Sequence, residues 1–270
     1  MAGQAIEKVR VADIDIAFRW DGIEDGPVVM MAHAMGTSHR IWDPQIAALA
    51  DRFRILRYDW RGHGDTDAPD GPYTLSQFED DAVGLMDVLG LDCVNWAGIS
   101  TGGMIGQGLA INHGARISTL TLCNTTSQSN AWYRDWVAER QAVVTRDGMD
   151  AVWDMTKRLW FTDDFVDAAN PAYHAVREVF VRTKVPGYLG GTSAVADLAY
   201  RDHLHRIRCP TRIIAAGADP VTPIERSTEI RDRISGAQLH IIDGQRHFSN
   251  VEVPDQFNQL LRQGLDEMVA

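Results

Sequence analysis

Short apolar runs alternate with amphipathic stretches between Ile14 and Cys123, and that rhythm restricts the fold more than any single residue. Residues 14–20 alternate inward and outward positions like a strand. Pro27-Val28-Val29-Met30-Met31-Ala32 is a continuous apolar run, the pattern of a strand covered on both faces. Residues 42–49 put Trp42, Ile46 and Leu49 on one side of a short helix. A strand is predicted at 53–58, and the turn Arg61-Gly62-His63-Gly64 follows it. Residues 75–89 repeat apolar side chains at helical spacing. A strand at 93–97, a glycine-containing helix at 101–111 and a strand at 117–123 complete the series. This alternation predicts an α/β fold with a mainly parallel, doubly wound sheet.

The rhythm stops at Asn124. From 125 to 198 the strands disappear, and helical stretches at 132–144, 149–160 and 171–181 carry Trp136, Trp153, Trp160, Phe161 and Phe180 in or beside them. Alternation resumes after Cys209-Pro210, with strands at 211–216 and 238–242 and helices at 224–234 and 253–268. The expectation is a sheet domain built from residues 1–124 and 199–270, with a helical cap inserted at 125–198. A chain of 270 residues suits one large domain or one domain with an insert.

Charge narrows the partners. Lys and Arg number 26 and Asp and Glu 37, for a net charge of −11. That argues against a binder of nucleic-acid phosphates, which would carry a basic stripe, and against a polybasic membrane anchor. No apolar run is long enough for a spanning helix. Charges interrupt the N-terminal stretch, so no export leader is expected. Cys93, Cys123 and Cys209 lie far apart without a CxxC, as suits reduced thiols in a cytoplasm. Each is read as a small buried hydrophobe. A small-molecule substrate is the remaining expectation, with no nucleic acid and no membrane.

The chemistry-bearing signal is Gly98-Ile99-Ser100-Thr101-Gly102, a G-x-S-x-G between an apolar strand and a helix. A serine on so tight a turn has a strained backbone, and its neighbours two residues away crowd it. Glycine at both places removes the colliding Cβ atoms. The serine then stands at a helix N-terminus, whose field favours developing negative charge. A glycine-rich phosphate turn is the competing reading. Neither G-x-G-x-x-G nor a P-loop lysine is present to support it.

A serine hydroxyl needs a base, and the base needs a third group to orient it. The expected chain order is serine, acid, histidine. Asp219 lies just past the predicted strand at 211–216, and His247 on the loop after the last strand. Asp243 is too close in sequence to His247 to be its partner. Asn124 occupies the other common acid position and cannot carry charge. His63 is read as a structural turn residue. His113, His174, His203 and His205 lie away from strand ends, and His240 inside a strand. Backbone N–H groups must hold the oxyanion. Thr101, which follows the serine, offers one, and Met35, in the loop after the strand at 27–32, the other.

These residues resemble a known family. Gly98-Ile99-Ser100-Thr101-Gly102-Gly103, Asp219-x-x-Thr222-Pro223 and His247-Phe248-Ser249-Asn250 are similar to the α/β-hydrolase superfamily, more closely to its 3-oxoadipate enol-lactonases. Gly36-Thr37, Trp42-Asp43-Pro44-Gln45, Tyr58-Asp59-x-Arg61-Gly62-His63-Gly64 and Trp136-x-x-x-Arg140 carry that closer likeness. It implies a Ser100–Asp219–His247 triad, a helical cap, and hydrolysis of an ester or lactone through an acyl-enzyme without cofactor or metal. It also implies substrate contacts from His33, Trp136 and Arg140, with Arg140 facing a substrate carboxylate. Two departures stand out. His33-Ala34 replaces the usual Asn-Ser, and the Gly217-Ala218-Asp219 loop is one residue short. Two other readings remain open at this stage: a general carboxylesterase or perhydrolase on the same triad, and a binding protein with a hydrolase fold and little turnover.

Overall fold

A computed structural model describes residues 5–269 and contains one eight-stranded sheet with helices on both faces. The first four residues, with which the 1–124 segment and the N-terminal stretch begin, lie outside the described residues. In chain order the elements are β1 (Glu7–Val11), β2 (Ile14–Gly22), β3 (Val28–Ala32), α1 (Asp43–Leu49), β4 (Arg54–Tyr58), α2 (Leu75–Val88), β5 (Val94–Ile99), α3 (Thr101–Asn112) and β6 (Ile117–Cys123). Four helices follow: α4 (Ala131–Trp160), α5 (Asp163–Asp167), α6 (Pro171–Val181) and α7 (Val185–Ala196). The chain closes with β7 (Thr211–Ala216), α8 (Ile224–Arg233), β8 (Gln238–Ile242), α9 (Ser249–Glu252) and α10 (Pro254–Met268).

Strand order across the sheet is β1-β2-β4-β3-β5-β6-β7-β8. Pairings β1–β2 and β2–β4 are antiparallel, and the rest are parallel. Successive strand residues face opposite cores, as the pleat requires. Met30 and Ala32 join the core under α2 and α3, whereas Val29 and Met31 join the core under α1 and α10. This double burial explains why β3 reads as an unbroken apolar run. After β3 the chain turns to one face, and after β5 to the other. The two adjacent strands therefore diverge in their connections and open a crevice at their carboxyl ends.

The helices between β6 and β7 leave and return through a narrow neck. Ser129 N donates to Leu198 O and Tyr200 N to Ser127 O, both at 2.9 Å. Gly148, at φ 81° and ψ −175°, breaks α4 into two helical halves. Only glycine enters that region cheaply. The helices bury an aromatic layer against the sheet domain. Trp160 lies 5.2 Å from Phe180 and 4.5 Å from Phe248, ring centre to ring centre.

Four elements were not expected from the sequence, the short helix α9 among them. β1 is a mostly exposed edge strand, Glu-Lys-Val-Arg-Val, whose charges mask its alternation. Helix α5 is a single short turn. Helix α7 contains Gly187, Gly190 and Gly191, so its sequence reads as a loop. Among the described residues no helix is long and apolar enough to cross a membrane.

Candidate active site

Ser100 stands between β5 and α3 with φ 52° and ψ −114°, in the left-handed half of the backbone map. Strain of that kind persists only where the surroundings overdetermine it. Here Ser100 N donates to Cys123 O at 2.9 Å. Its carbonyl accepts from Gly103 N at 2.9 Å, Met104 N at 3.1 Å and Thr125 Oγ1 at 2.7 Å. A Cβ on Gly98 would collide with the Gly102 carbonyl, and one on Gly102 with the Ala32 carbonyl of β3. The two glycines thus let the turn close against the neighbouring strand.

Three buried side chains form one hydrogen-bonded line. Ser100 Oγ lies 2.9 Å from His247 Nε2, and His247 Nδ1 lies 2.6 Å from Asp219 Oδ2. Asp219 sits three residues past the end of β7, and its other bonds fix its orientation. Oδ1 accepts from Val221 N at 2.8 Å and Thr222 N at 3.1 Å, and Oδ2 accepts from Thr222 Oγ1 at 2.6 Å. Burial alone would push the Asp219 carboxyl up. The electrostatic attraction of the facing imidazole and the hydrogen bonds from His247 and Thr222 outweigh it and hold the group below its ordinary range. An ionised Asp219 keeps the His247 proton on Nδ1. Nε2 is then an acceptor for a serine proton.

Asn124 has more work than a failed acid position suggests. It takes φ 44° at the end of β6, in a region asparagine tolerates. Its Nδ2 donates to His247 O at 2.7 Å and to Ser249 Oγ at 3.2 Å, and its Oδ1 accepts from Ala216 N at 2.8 Å. One buried amide therefore ties the histidine loop to the end of β7. The short polar residue at a strand terminus was the only sequence sign of this. From the helical side, Phe248 N donates to Trp160 O at 2.9 Å, and Arg246 Nη1 donates to Phe161 O at 3.0 Å.

The loop after β3 is equally constrained. The Ala34 carbonyl accepts from Thr37 N at 3.2 Å, Thr37 Oγ1 at 2.8 Å and His33 Nδ1 at 2.9 Å. Gly36 N donates to His63 Nε2 at 2.9 Å. Thr101 opens α3, so its N–H has no intrahelical acceptor. Among the described residues neither that N–H nor the one of Met35 meets an acceptor.

His33, expected to contact substrate, packs inside the protein. Its side chain is fully buried, its ring stacks on Trp60, and Nε2 accepts from Trp60 N at 3.3 Å. Both ring nitrogens are engaged inside the protein, Nδ1 by Ala34 O and Nε2 by Trp60 N. Burial pulls its pKa from 6.5 to about 4, against the opposing pull of Asp59. Trp136 and Arg140 are together on α4, with the guanidinium carbon 3.6 Å from the ring centre. Arg140 is 3% exposed. Its Nη2 donates to Met155 O at 3.3 Å, its Nε has no partner, and its nearest carboxylate is the exposed Glu139 at 4.0 Å. Burial pushes the guanidinium pKa down, and Tyr188, Glu139 and Tyr133 oppose that shift. Among the described residues no three His, Cys, Asp or Glu side chains are grouped to hold a metal ion.

Two outcomes follow from this packing. Asn124→Asp replaces a donor with a carboxylate facing the His247 carbonyl, and should cost about 3 kcal/mol of stability. Urea denaturation measures it, and an unchanged midpoint would refute the clamp. The unfolded His33 imidazole takes a proton near pH 6.5, whereas the folded one resists until about pH 4. Between those values the unfolded chain binds more protons, so stability falls as the pH drops from 6.5 towards 4. In His33→Asn the stability difference between pH 7 and pH 4.5 should shrink by about 2 kcal/mol. An unaltered difference would show that His33 titrates normally in the fold.

Known proteins share this architecture. A family model described as the alpha/beta hydrolase fold matches residues 27–254. The curated 3-oxoadipate enol-lactonase 1 of Acinetobacter baylyi is 32% identical over 240 residues, covering 89% of each chain. The crystal structure of the enol-lactonase from Burkholderia xenovorans LB400 superposes with a TM-score of 0.93 at 32% identity, covering 96% of this chain and 100% of that one. A hydrolase from Pseudomonas aeruginosa PA01 gives a TM-score of 0.93 at 33% identity, with 96% and 98% covered. With the sheet order, the connections and the serine turn described above, the chain belongs to the α/β-hydrolase fold family.

Proposed function

We propose that this chain is a cofactor-independent serine hydrolase that opens a small ester or lactone through an acyl-enzyme. The observation that carries this reading is the buried line from Ser100 through His247 to Asp219, anchored on the strained turn. Ser100 Oγ attacks the carbonyl while His247 Nε2 takes its proton. Asp219 stabilises the imidazolium so formed. The tetrahedral oxyanion is held by the Met35 and Thr101 N–H groups, a reading favoured by their lack of internal acceptors. His247 returns its proton to the leaving oxygen. In a lactone that oxygen remains part of the acyl group. Water, activated by the same histidine, then releases the acid.

The helices at 131–196 are read as a cap that selects the substrate. Arg140 favours an anionic one, because a buried guanidinium with a vacant donor and no buried carboxylate is incompletely compensated. A carboxylate on an enol-lactone would supply the missing partner. The enol-lactonase names of the relatives point to the same substrate class.

A fluorophosphonate probe should label the wild-type protein and leave Ser100→Ala unlabelled. The same variant should lose at least about a thousand-fold in kcat. Full activity in Ser100→Ala would end the reading. Arg140→Gln should raise KM for a carboxylate-bearing lactone about tenfold or more, the worth of a hydrogen bond to a charged group. Its KM for p-nitrophenyl acetate should stay within about threefold, since that ester has no carboxylate to lose. Equal effects on both substrates would remove Arg140 from the site.

A further inference from the structure

We propose that His63 is a positioning residue for the oxyanion loop: its unprotonated Nε2 captures the Gly36 N–H and so aims the preceding Met35 N–H at the reacting carbonyl. The inference rests on the hydrolase reading above and deepens it.

The loop presents three successive N–H groups after Ala34, and only one is left to meet a ligand. Thr37 N donates back to Ala34 O at 3.2 Å, and Gly36 N donates to His63 Nε2 at 2.9 Å. The Met35 N–H remains. It shares a peptide unit with the Ala34 carbonyl, which Thr37 and His33 hold. A trans peptide points its N–H away from its carbonyl, so fixing the carbonyl aims the N–H. The next peptide unit ends in the Gly36 N–H that His63 holds. Both peptide units that meet at Met35 are therefore pinned.

The chemistry of the bond defines the state of His63. A nitrogen that accepts from an amide carries a lone pair, so its proton resides on Nδ1, which faces the Arg61 carbonyl at 3.4 Å. The ring is 1% exposed and packs on Trp60, with ring centres 3.6 Å apart. Of its titratable neighbours, His33 disfavours the charged ring and Asp59 favours it. His33 lies 5.6 Å away, ring to ring. The buried Asp59 carboxylate is already bonded to His39 Nδ1 at 2.9 Å, His39 N at 2.6 Å and Asp65 N at 2.9 Å. Burial first, and His33 second, push the His63 pKa well below the ordinary histidine value. The opposite side of the turn is held by the inserted helices, where Thr183 Oγ1 donates to Gly36 O at 3.3 Å.

His63→Phe keeps a ring and removes the acceptor, whereas His63→Gln keeps an acceptor. In His63→Phe kcat for p-nitrophenyl acetate should fall about a hundred-fold, the scale of one lost oxyanion donor. KM should stay within about threefold. Affinity for a trifluoromethyl ketone, which forms an oxyanion on the serine, should fall in parallel with kcat. His63→Gln should restore kcat to within about tenfold of wild type. A kcat within about threefold of wild type in folded His63→Phe would overturn the proposal. So would a kcat loss without a loss of ketone affinity. Circular dichroism reports folding. If His63→Phe does not fold, long-range proton–nitrogen NMR of the wild-type imidazole decides. A proton on Nδ1 is expected, and a proton on Nε2 overturns the assignment. Ser100→Ala run alongside separates the two claims. If it is inactive and His63→Phe behaves like wild type, only the role of His63 falls. If it is active, the hydrolase reading itself falls.

Discussion

The backbone of Ser100 is the constraint on which the rest of the site depends. A φ of 52° is unfavourable for any residue with a Cβ, by about 1–2 kcal/mol, and it is held by contacts from three strands. β6 accepts the Ser100 N–H, β3 lies against Gly102, and β5 delivers the chain. The hydroxyl therefore occupies a point defined by the sheet. Every other participant must be brought to that point. This is why loops after β3, β7 and β8 all converge on it, and why each carries its own local hydrogen bonds.

The inserted helices act on those loops as well as walling the crevice. They hold the histidine loop through Trp160 and Phe161, and the loop bearing Met35 through Thr183. Thr162 and Glu252 add a further polar tie. The loops bearing His247 and Met35 are thus each gripped twice, once from the sheet domain and once from the insert. Asn124 and His63 are the sheet-side grips. Catalytic geometry tolerates errors well under an ångström, so such redundancy has a direct chemical use.

The parts of the fold that obey strong periodicity were legible in the sequence. Buried parallel strands read as apolar runs, and α6 was bounded correctly at 171–181 because its apolar stripe starts at a proline. The parts that were not legible have opposing physical requirements. Helix α7 uses glycine where it crosses other chain closely. A Cβ on Gly187 would strike the Gly62 backbone, and one on Gly190 would meet the Tyr73 ring. Packing demanded the residues that propensity associates with loops. The serine, aspartate and histidine that meet at the turn were legible because each lies at a strand's carboxyl end. His33 also lies at a strand's carboxyl end, yet its ring nitrogens are taken by Ala34 O and Trp60 N. Position brings a residue to the crevice, but only its hydrogen bonds show whether it faces inward. His63 was read as a structural turn residue, and Asn124 only as a failed acid, because a side chain that holds backbone shows in the sequence neither its partner nor its direction.

The net charge of −11 raises the question of how an anion would be received at all. The comparison of buried arginines answers it. Arg57 has Asp21 and Asp43, and Arg61 has Asp13 and Asp81, all in direct ion pairs. Arg140 is just as buried, yet it has only carbonyl oxygens, the Trp136 face and an exposed glutamate at 4.0 Å. Surface charge is screened over about 8–10 Å at ordinary ionic strength, so the acidic exterior hardly reaches the interior. A buried guanidinium is screened far less. Its field dominates locally whatever the sum over the chain. Arg212, the other buried arginine, has Glu267, so among the described residues Arg140 is the buried one whose nearest carboxylate is as far as 4.0 Å, and an acidic exterior does not by itself close such a place to an anion.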